Sequence, residues 1–251
     1  MTGFAETLWA EILIFFRPAL FNIYFAAVSL AIGFVLAVAV AFARNGKNPI
    51  VSHLAAGYIY AFRGSPLFIQ FFMFYSIMLA LNAVWWRPLG ISGVVMHPLF
   101  IGPLTLVMNT VAYTAEILYG ALRTVPRGEL EAARAHGMSP LQIFRTVTWP
   151  NMIRIAWPAY TNEVVFMFHA TALVYLTLPV VGNQRDIMNT ARFLFERDYN
   201  AILHFSVAGL YFLVISMLVF FVFGRIYERM MRHLSVNQDR PRLRFAPKYI
   251  R

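Results

Sequence analysis

The sequence contains no cysteine and little charge. The first absence excludes structural disulfides and thiolate metal sites, and the six histidines form no recognisable ligand cluster. Charged residues make up 13% and hydrophobic residues 60% of the 251 positions, against about 25% and about 45–50% in soluble domains. A soluble domain of this length would lack the polar surface to cover itself. No Gly-x4-Gly-Lys-Ser/Thr stretch occurs, so the chain does not cradle nucleotide phosphates by that route. Lys and Arg are missing before Arg17, whereas a cleavable signal wants a basic start and a short apolar region. The text "LAVAVAFA" imitates a cleavage site, but the apolar run before it is too long, and we read it as a retained membrane span. No repeat of 20–50 residues and no low-complexity segment is evident.

Long apolar runs are what the chain does have. A helix crossing a bilayer needs about 20 mostly apolar residues. Five runs qualify: Ala19–Phe42, Pro66–Val84, Leu99–Leu122, Ile155–Leu178 and Ala201–Phe223. The first ends at "RNGKNP", which carries Asn-Gly and Asn-Pro turn signals. "FRGSPL" marks the start of the second, and Trp85 and Trp86 after it suit a membrane interface. Pro158 is expected near the start of the fourth, where a missing donor does little harm. The fold class is therefore all-α, a single integral membrane domain over residues 1–251.

The net charge of +10 would suit nucleic acid, but its placement argues otherwise. Loop 43–65 carries Arg44, Lys47 and Arg63; loop 123–154 carries Arg123, Arg127, Arg134, Arg145 and Arg154. The tail from Gly224 carries Arg225, Arg229, Arg232, Arg240, Arg242, Arg244, Lys248 and Arg251. These are 16 of the 21 basic residues; Arg17, Arg87, Arg185, Arg192 and Arg197 remain for the other side. The positive-inside rule then places the N-terminus outside and the C-terminus in the cytoplasm. The charges set orientation and meet anionic lipid, so no nucleic-acid partner is expected. The tail "NQDRPRLRFAPKYIR" reads as weakly ordered.

Loop 123–154 is long for a bundle connection. Glu129 to Ala135 is helix-forming, and Gly137 ends it by taking a left-handed conformation. Ser139 is then an N-cap for a second short helix, with Pro140 at its first position and Gln142 three residues after the cap. Pro150 is expected to close that segment. The pattern is helix, Gly turn, helix, lying beneath the membrane.

"EAARAHGMSPLQIFRTVTWP" resembles the cytoplasmic EAA loop of ABC-importer permeases, with Glu131, Ala132, Ala133, Gly137, Val147 and Pro150 at the matching positions and Trp149 in place of the usual Leu. "FRGSPL" is similar to that family's Arg-Gly-Thr-Pro-Leu, and "NTVAYTAEILYGALRTVPRGELEAA" to its third span leading into the loop. "PAYTNEVVFMFHATAL" resembles the fourth span of the polar amino-acid branch, and the nearest look is to histidine/lysine/arginine/ornithine and opine permeases. The resemblance covers about residues 20–230. It implies the type I ABC-importer permease fold and a non-enzymatic subunit of an inner-membrane importer for basic amino acids. It further implies that this chain holds no cofactor, with ATP and Mg on a partner ATPase dimer that docks on residues 129–148. The remaining partners would be a second, similar permease subunit, an extracytoplasmic substrate-binding protein and membrane lipid. Import of a neutral polar amino acid is the runner-up, and a channel or scaffold would need no "EAARAHG".

The spans carry polar residues that lipid would reject unless they face the bundle interior or water. Thr105, Asn109, Tyr113, Glu116 and Gly120 fall within about 80° of one another on the third span at 100° per residue. They form either a substrate path or a packing seam, with Gly120 allowing close contact and Glu116 pairing with another helix. In the fourth span, Asn162, Phe166 and His169 share one face; Glu163, Met167 and Ala170 share another about 100° round. Glu163 stands where relatives carrying glutamine or glutamate resemble a neutral residue, and His169 where they resemble Lys. A fixed carboxylate at this depth costs about 2.5–3.5 kcal/mol unless paired, so Glu163 is either a counter-ion for a cationic substrate or a structural partner. His169 either donates to a substrate carboxylate or satisfies a neighbour. Glu163 and His169 lie on different faces, which argues against an intramembrane enzyme.

Overall fold

The computed structural model describes residues 2–179 and 185–232; the expectation for the tail 237–251 lies outside the described residues. Its elements, in order, are α1 (Thr2–Asn45), α2 (Pro49–Gly64), α3 (Leu67–Leu81, continued by a π turn, Asn82–Trp86), α4 (Ser92–Val95), α5 (Pro98–Thr124), α6 (Arg127–Ala135), α7 (Pro140–Ile143), α8 (Trp149–Ala170), α9 (Val174–Thr177), α10 (Ile187–Asp198) and α11 (Ala201–Met231). No strand occurs among the described residues.

Four stretches are long and apolar enough to cross a membrane: Leu8–Asn45, Leu67–Trp86, Pro98–Thr124 and Ala201–Met231. They correspond to the first, second, third and fifth expected spans, and the first begins earlier than Ala19. The expected fourth span is α8, which starts at Trp149 instead of Ile155 and is followed by a 3-10 turn at Thr171–Leu173. Arg154, Glu163 and His169 lower its apolarity, yet Glu163 is buried.

α5 is the centre of the bundle. It packs against α1, α8, α2 and α3, and most of its length is buried. Gly33 on α1 makes the closest approach, since a Cβ there would sit 2.3 Å from the Thr110 methyl of α5. Gly120, expected to permit close contact, is exposed and has nothing within 4 Å of its would-be Cβ. One apolar cluster joins Ala37, Ala41, Leu118, Met152 and Ala156 near the α6 end. A second gathers Phe25, Phe71, Leu106, Met167 and Val174 toward the opposite end, and a third joins α1, α10 and α11.

Three expectations change. Much of loop 43–65 is helical: the Asn48 side chain accepts from the N–H groups of Ile50 and Val51, and Pro49 occupies the first turn, the signal that opens helices. Pro150 does not close the loop. The chain stays helical from α7 through a π turn (Phe144–Thr148) into α8, and the proline falls in the first turn of α8, where it removes no needed donor. Pro158 accordingly lies inside α8, not near its start. The segment 187–198, unassigned from sequence, forms amphipathic α10, capped by Asp186. Burial pushes the Asp186 carboxyl up to about 7.

Candidate functional site: a polar interior beside a broken helix

α2 and α3 would form one long helix but for Ser65 and Pro66, both in extended conformation. Proline removes a donor and disfavours helix in the residue before it, so the break follows from "RGSP". The break leaves backbone groups without helical partners, and buried ones must be satisfied by side chains or water. Gln70, 2% exposed, answers part of that need. Its Nε2 donates to the carbonyls of Phe62 and Ser65 and to Ser65 Oγ at 2.8–3.0 Å, and its Oε1 accepts from Asn109 Nδ2 of α5 at 3.0 Å. Asn109 is thereby tied to the break.

Arg63 lies just before it. Its guanidinium sits 5.3 Å from the Tyr113 ring centroid and 3.7 Å from the Glu116 carboxylate. Arg44, from the end of α1, makes the closer contact with Glu116 and stacks 4.1 Å from the Tyr119 ring. Glu116 is thus shared by two arginines on two other helices.

Glu163 differs. It is 5% exposed, and its Oε1 accepts a 3.0 Å hydrogen bond from Thr110 Oγ1 of α5; Thr110 is in turn 3.4 Å from Thr114 Oγ1. Among the described residues no cation lies within ion-pair distance of Glu163. The two faces of α8 separate as the spacing predicts, with Glu163, Met167 and Ala170 buried and Asn162, Phe166 and His169 exposed. His169 Nε2 is 2.9 Å from Ser216 Oγ of α11, and the Phe166 ring lies tilted to that of Tyr113, centroids 6.0 Å apart.

The structure therefore gathers Asn109, Tyr113, Glu116 and Glu163 along the facing sides of α2, α5 and α8, and leaves Asn162 and His169 on the outward side of α8. Sequence reasoning missed Arg44, Arg63, Gln70 and Thr110. Gln70 had a usable signal, a lone amide in "LFIQFFMFYSIMLA", and Arg63 stood in a quoted motif without a partner assigned to it.

In loop 123–154, α6 ends at Gly137 with φ +71. Ser139 N donates to Gln142 Oε1 at 2.7 Å, and Gln142 N donates to Ser139 Oγ at 3.4 Å, the reciprocal cap expected of Ser139 and Gln142. Ala133 is buried, while Glu131, Ala132 and Gly137 are exposed and Pro150 is half-buried. The exposed side of this turn carries Glu131 and a small residue together.

Residues 29–233 match the family described as binding-protein-dependent transport system inner membrane component. The chain belongs to that family. The permease is 36% identical over 235 residues to the histidine/lysine/arginine/ornithine transport system permease protein HisM of Escherichia coli strain K12, covering 93% of this chain and 90% of that one. It is 39% identical over 194 residues to the nopaline transport system permease protein NocM of Agrobacterium fabrum, covering 77% and 78%. The octopine transport system permease protein OccM of Rhizobium radiobacter is 34% identical, covering 77% and 76%. The fold matches a solved amino acid ABC transporter crystallised with histidines, with TM-score 0.70 at 20% identity over 91% of this chain and 96% of that one. It also matches the inward-facing MetNI methionine ABC transporter, with TM-score 0.62 at 19% identity over 90% and 98%. The chain is a transport subunit of an ABC importer with the type I permease fold.

Proposed function

We propose that this permease passes basic amino acids, or opines that keep the arginine guanidinium, across the inner membrane. The observation that carries this reading is the contrast between the two carboxylates of the interior. Glu116 has Arg44 and Arg63; Glu163 is buried with one neutral hydroxyl, Thr110, as its hydrogen-bond partner. An intramembrane carboxylate needs a partner, and a substrate ammonium or guanidinium supplies one as it passes. The names of the HisM, NocM and OccM relatives support the same substrate class. Asn162 and His169, on the neighbouring face of α8 about 100° round from Glu163, would hold the amino acid's other groups. Tyr113 and Asn109 would line it from α5.

ATP hydrolysis belongs to a separate ATPase dimer, with its own ATP and Mg, which docks on Glu131, Ala132, Ala133 and Gly137 of the α6–α7 turn, with Pro150 setting the entry to α8. A second, similar permease subunit covers the outward face of α8, and an extracytoplasmic binding protein delivers substrate. The termini lie on opposite sides, with the N-terminus outside and the C-terminus in the cytoplasm; no nucleic-acid partner is involved.

The test is ATP-driven uptake into proteoliposomes holding the complete importer and its binding protein, across a panel of cationic, zwitterionic and acidic amino acids and opines. Accumulation of arginine, lysine or an arginine-derived opine is expected. Accumulation of glutamine or glutamate without any cationic substrate would refute the reading.

A further inference from the structure

A cavity of about 270 Å³ opens between the N-terminal part of α1 and α10, lined by Arg17, Arg185, Phe193 and Arg197. The three arginines come from separate places in the chain. Arg185 lies 3.5 Å from the Phe193 ring centroid and Arg197 6.0 Å from the same ring, so one aromatic side chain orients both guanidinium groups. Neither they nor Arg17 form an ion pair among the described residues. The acidic groups nearby are engaged elsewhere. Asp186 accepts from Asn189 N at 2.8 Å, Glu196 accepts from Arg192, and Glu11 and Asp198 both contact His204. Three like charges around one hollow repel one another, so the arrangement favours an anion between them.

The depth of the cavity indicates which anion. Arg17 and Arg44 lie on the same helix, 27 residues apart, or roughly 40 Å at ~1.5 Å per residue. That is about the thickness of a bilayer including its headgroups. Arg44 sits at the end of the bundle that carries the α6–α7 turn; Arg17 therefore reaches the headgroup level of the opposite leaflet. Exposed Ile14, also in the cavity wall, offers an apolar edge beside the charges. Planar, multi-donor guanidinium groups suit phosphate oxygens better than point charges do.

We propose that the Arg17–Arg185–Arg197 cavity binds a phosphate group, supplied by the headgroup of an anionic phospholipid in the leaflet opposite the α6–α7 turn. The site lies away from the polar interior formed by α2, α5 and α8, and does not depend on which substrate is carried.

The experiment is native mass spectrometry and thermal unfolding of the full-length permease in its assembled complex, titrated with phosphatidylglycerol or with zwitterionic phosphatidylcholine. Phosphatidylglycerol is expected to be retained and to raise the unfolding temperature more than phosphatidylcholine. Each of Arg17→Gln, Arg185→Gln and Arg197→Gln should weaken its retention about fivefold, and the triple variant about a hundredfold. Arg192→Gln, on the same helix but paired with Glu196 and outside the cavity, should leave retention unchanged, and Arg185→Lys should lose less than Arg185→Gln. Three results overturn the proposal. The triple variant, assembled normally, retains phosphatidylglycerol like the native complex. Alternatively, millimolar inorganic phosphate displaces the lipid from the native complex, making this a free-phosphate site. Or the triple variant loses binding of the substrate-binding protein while keeping its lipid, making the cavity a protein contact.

Discussion

Replacing Glu163 with Gln tests the interior carboxylate without changing its shape. In the native chain Glu163 Oε1 accepts from Thr110 Oγ1 at 3.0 Å, and a glutamine carbonyl can accept the same bond, so packing against α5 is kept. What goes is one negative charge in a position 5% exposed. A cationic substrate held there loses a charge-assisted hydrogen bond worth about 1.5–3 kcal/mol. At about 1.4 kcal/mol per decade, uptake of arginine or lysine at subsaturating concentration should fall roughly ten- to hundredfold. A neutral amino acid that the system accepts has no such bond to lose and should change by less than about threefold. The assay is initial ATP-driven uptake of a cationic and a neutral substrate in proteoliposomes, after confirming that the variant complex assembles. Equal losses for the two substrates would refute the counter-ion argument and leave Glu163 a structural partner of Thr110.

Glu116→Gln strands Arg44 and Arg63, so all substrates should fall together, and the half-buried pair should cost about 1–3 kcal/mol of stability, read by thermal unfolding of the purified complex. Gly137→Val forces a branched side chain to φ +71, a cost of about 1–2 kcal/mol; membrane insertion should be normal while substrate-stimulated ATP hydrolysis is lost, and intact coupled uptake would contradict docking at this turn. A reporter fused after Arg251 should be cytoplasmic and one near Arg87 external, with the reverse at either site removing the assigned topology. Burial raises the Asp186 carboxyl to about 7, so the folded protein holds a proton that the unfolded chain releases near pH 4, and stability should decline as pH rises from about 4 to about 7. Asp186→Asn keeps an N-cap acceptor and should flatten that slope. Its gain above pH 7 has an upper bound of roughly 4 kcal/mol, read as unfolding temperature against pH; an unchanged slope would show that Asp186 does not cause it.

The long apolar helices and the α6–α7 turn were legible because their signals are local. Length and composition mark α1, α3, α5 and α11, and Gly137, Ser139 and Gln142 specify a turn within six residues. α8 was legible as a helix but not at its start, because the π turn at Phe144–Thr148 lets helix continue past a proline that ordinarily reads as a stop. α2 was missed because it is short and less apolar than the spans and follows the turn signals of "RNGKNP", although Asn48-Pro49 is also a helix start signal. α10 was missed because a short amphipathic helix next to a connection looks like loop. The partners of Glu116 were beyond reach for a different reason. That Glu116 needed a cation was readable from its depth; that Arg44 and Arg63 supply it depends on the register of three helices, which no single segment encodes. The division of α8 into a Glu163 face and a His169 face needed only the 100° step.

The broken helix explains why so much of the polar interior exists whether or not substrate is present. Interrupting α2–α3 at Ser65 and Pro66 frees carbonyls from the helical ladder, and a buried carbonyl left bare costs about 1–3 kcal/mol. Gln70 satisfies the carbonyls of Phe62 and Ser65, and its remaining acceptor is filled by Asn109. That chain of bonds begins and ends within the protein, so it holds the break against α5. It also fixes where Arg63 stands: between Phe62 and Ser65 in the chain, with Tyr113 and Glu116 of the same α5 seam within reach. Removing the break would let α2 and α3 run straight and carry Arg63 off that seam, leaving Arg44 as the sole cation on Glu116 among the described residues. Gln70 and Asn109 thus hold the break that lies beside Arg63, whereas Glu163 joins α5 by the separate Thr110 bond. The two carboxyl groups belong to different parts of one interior: one is bound into the scaffold that positions the helices by two arginines, and the other is buried with a neutral hydroxyl as its hydrogen-bond partner.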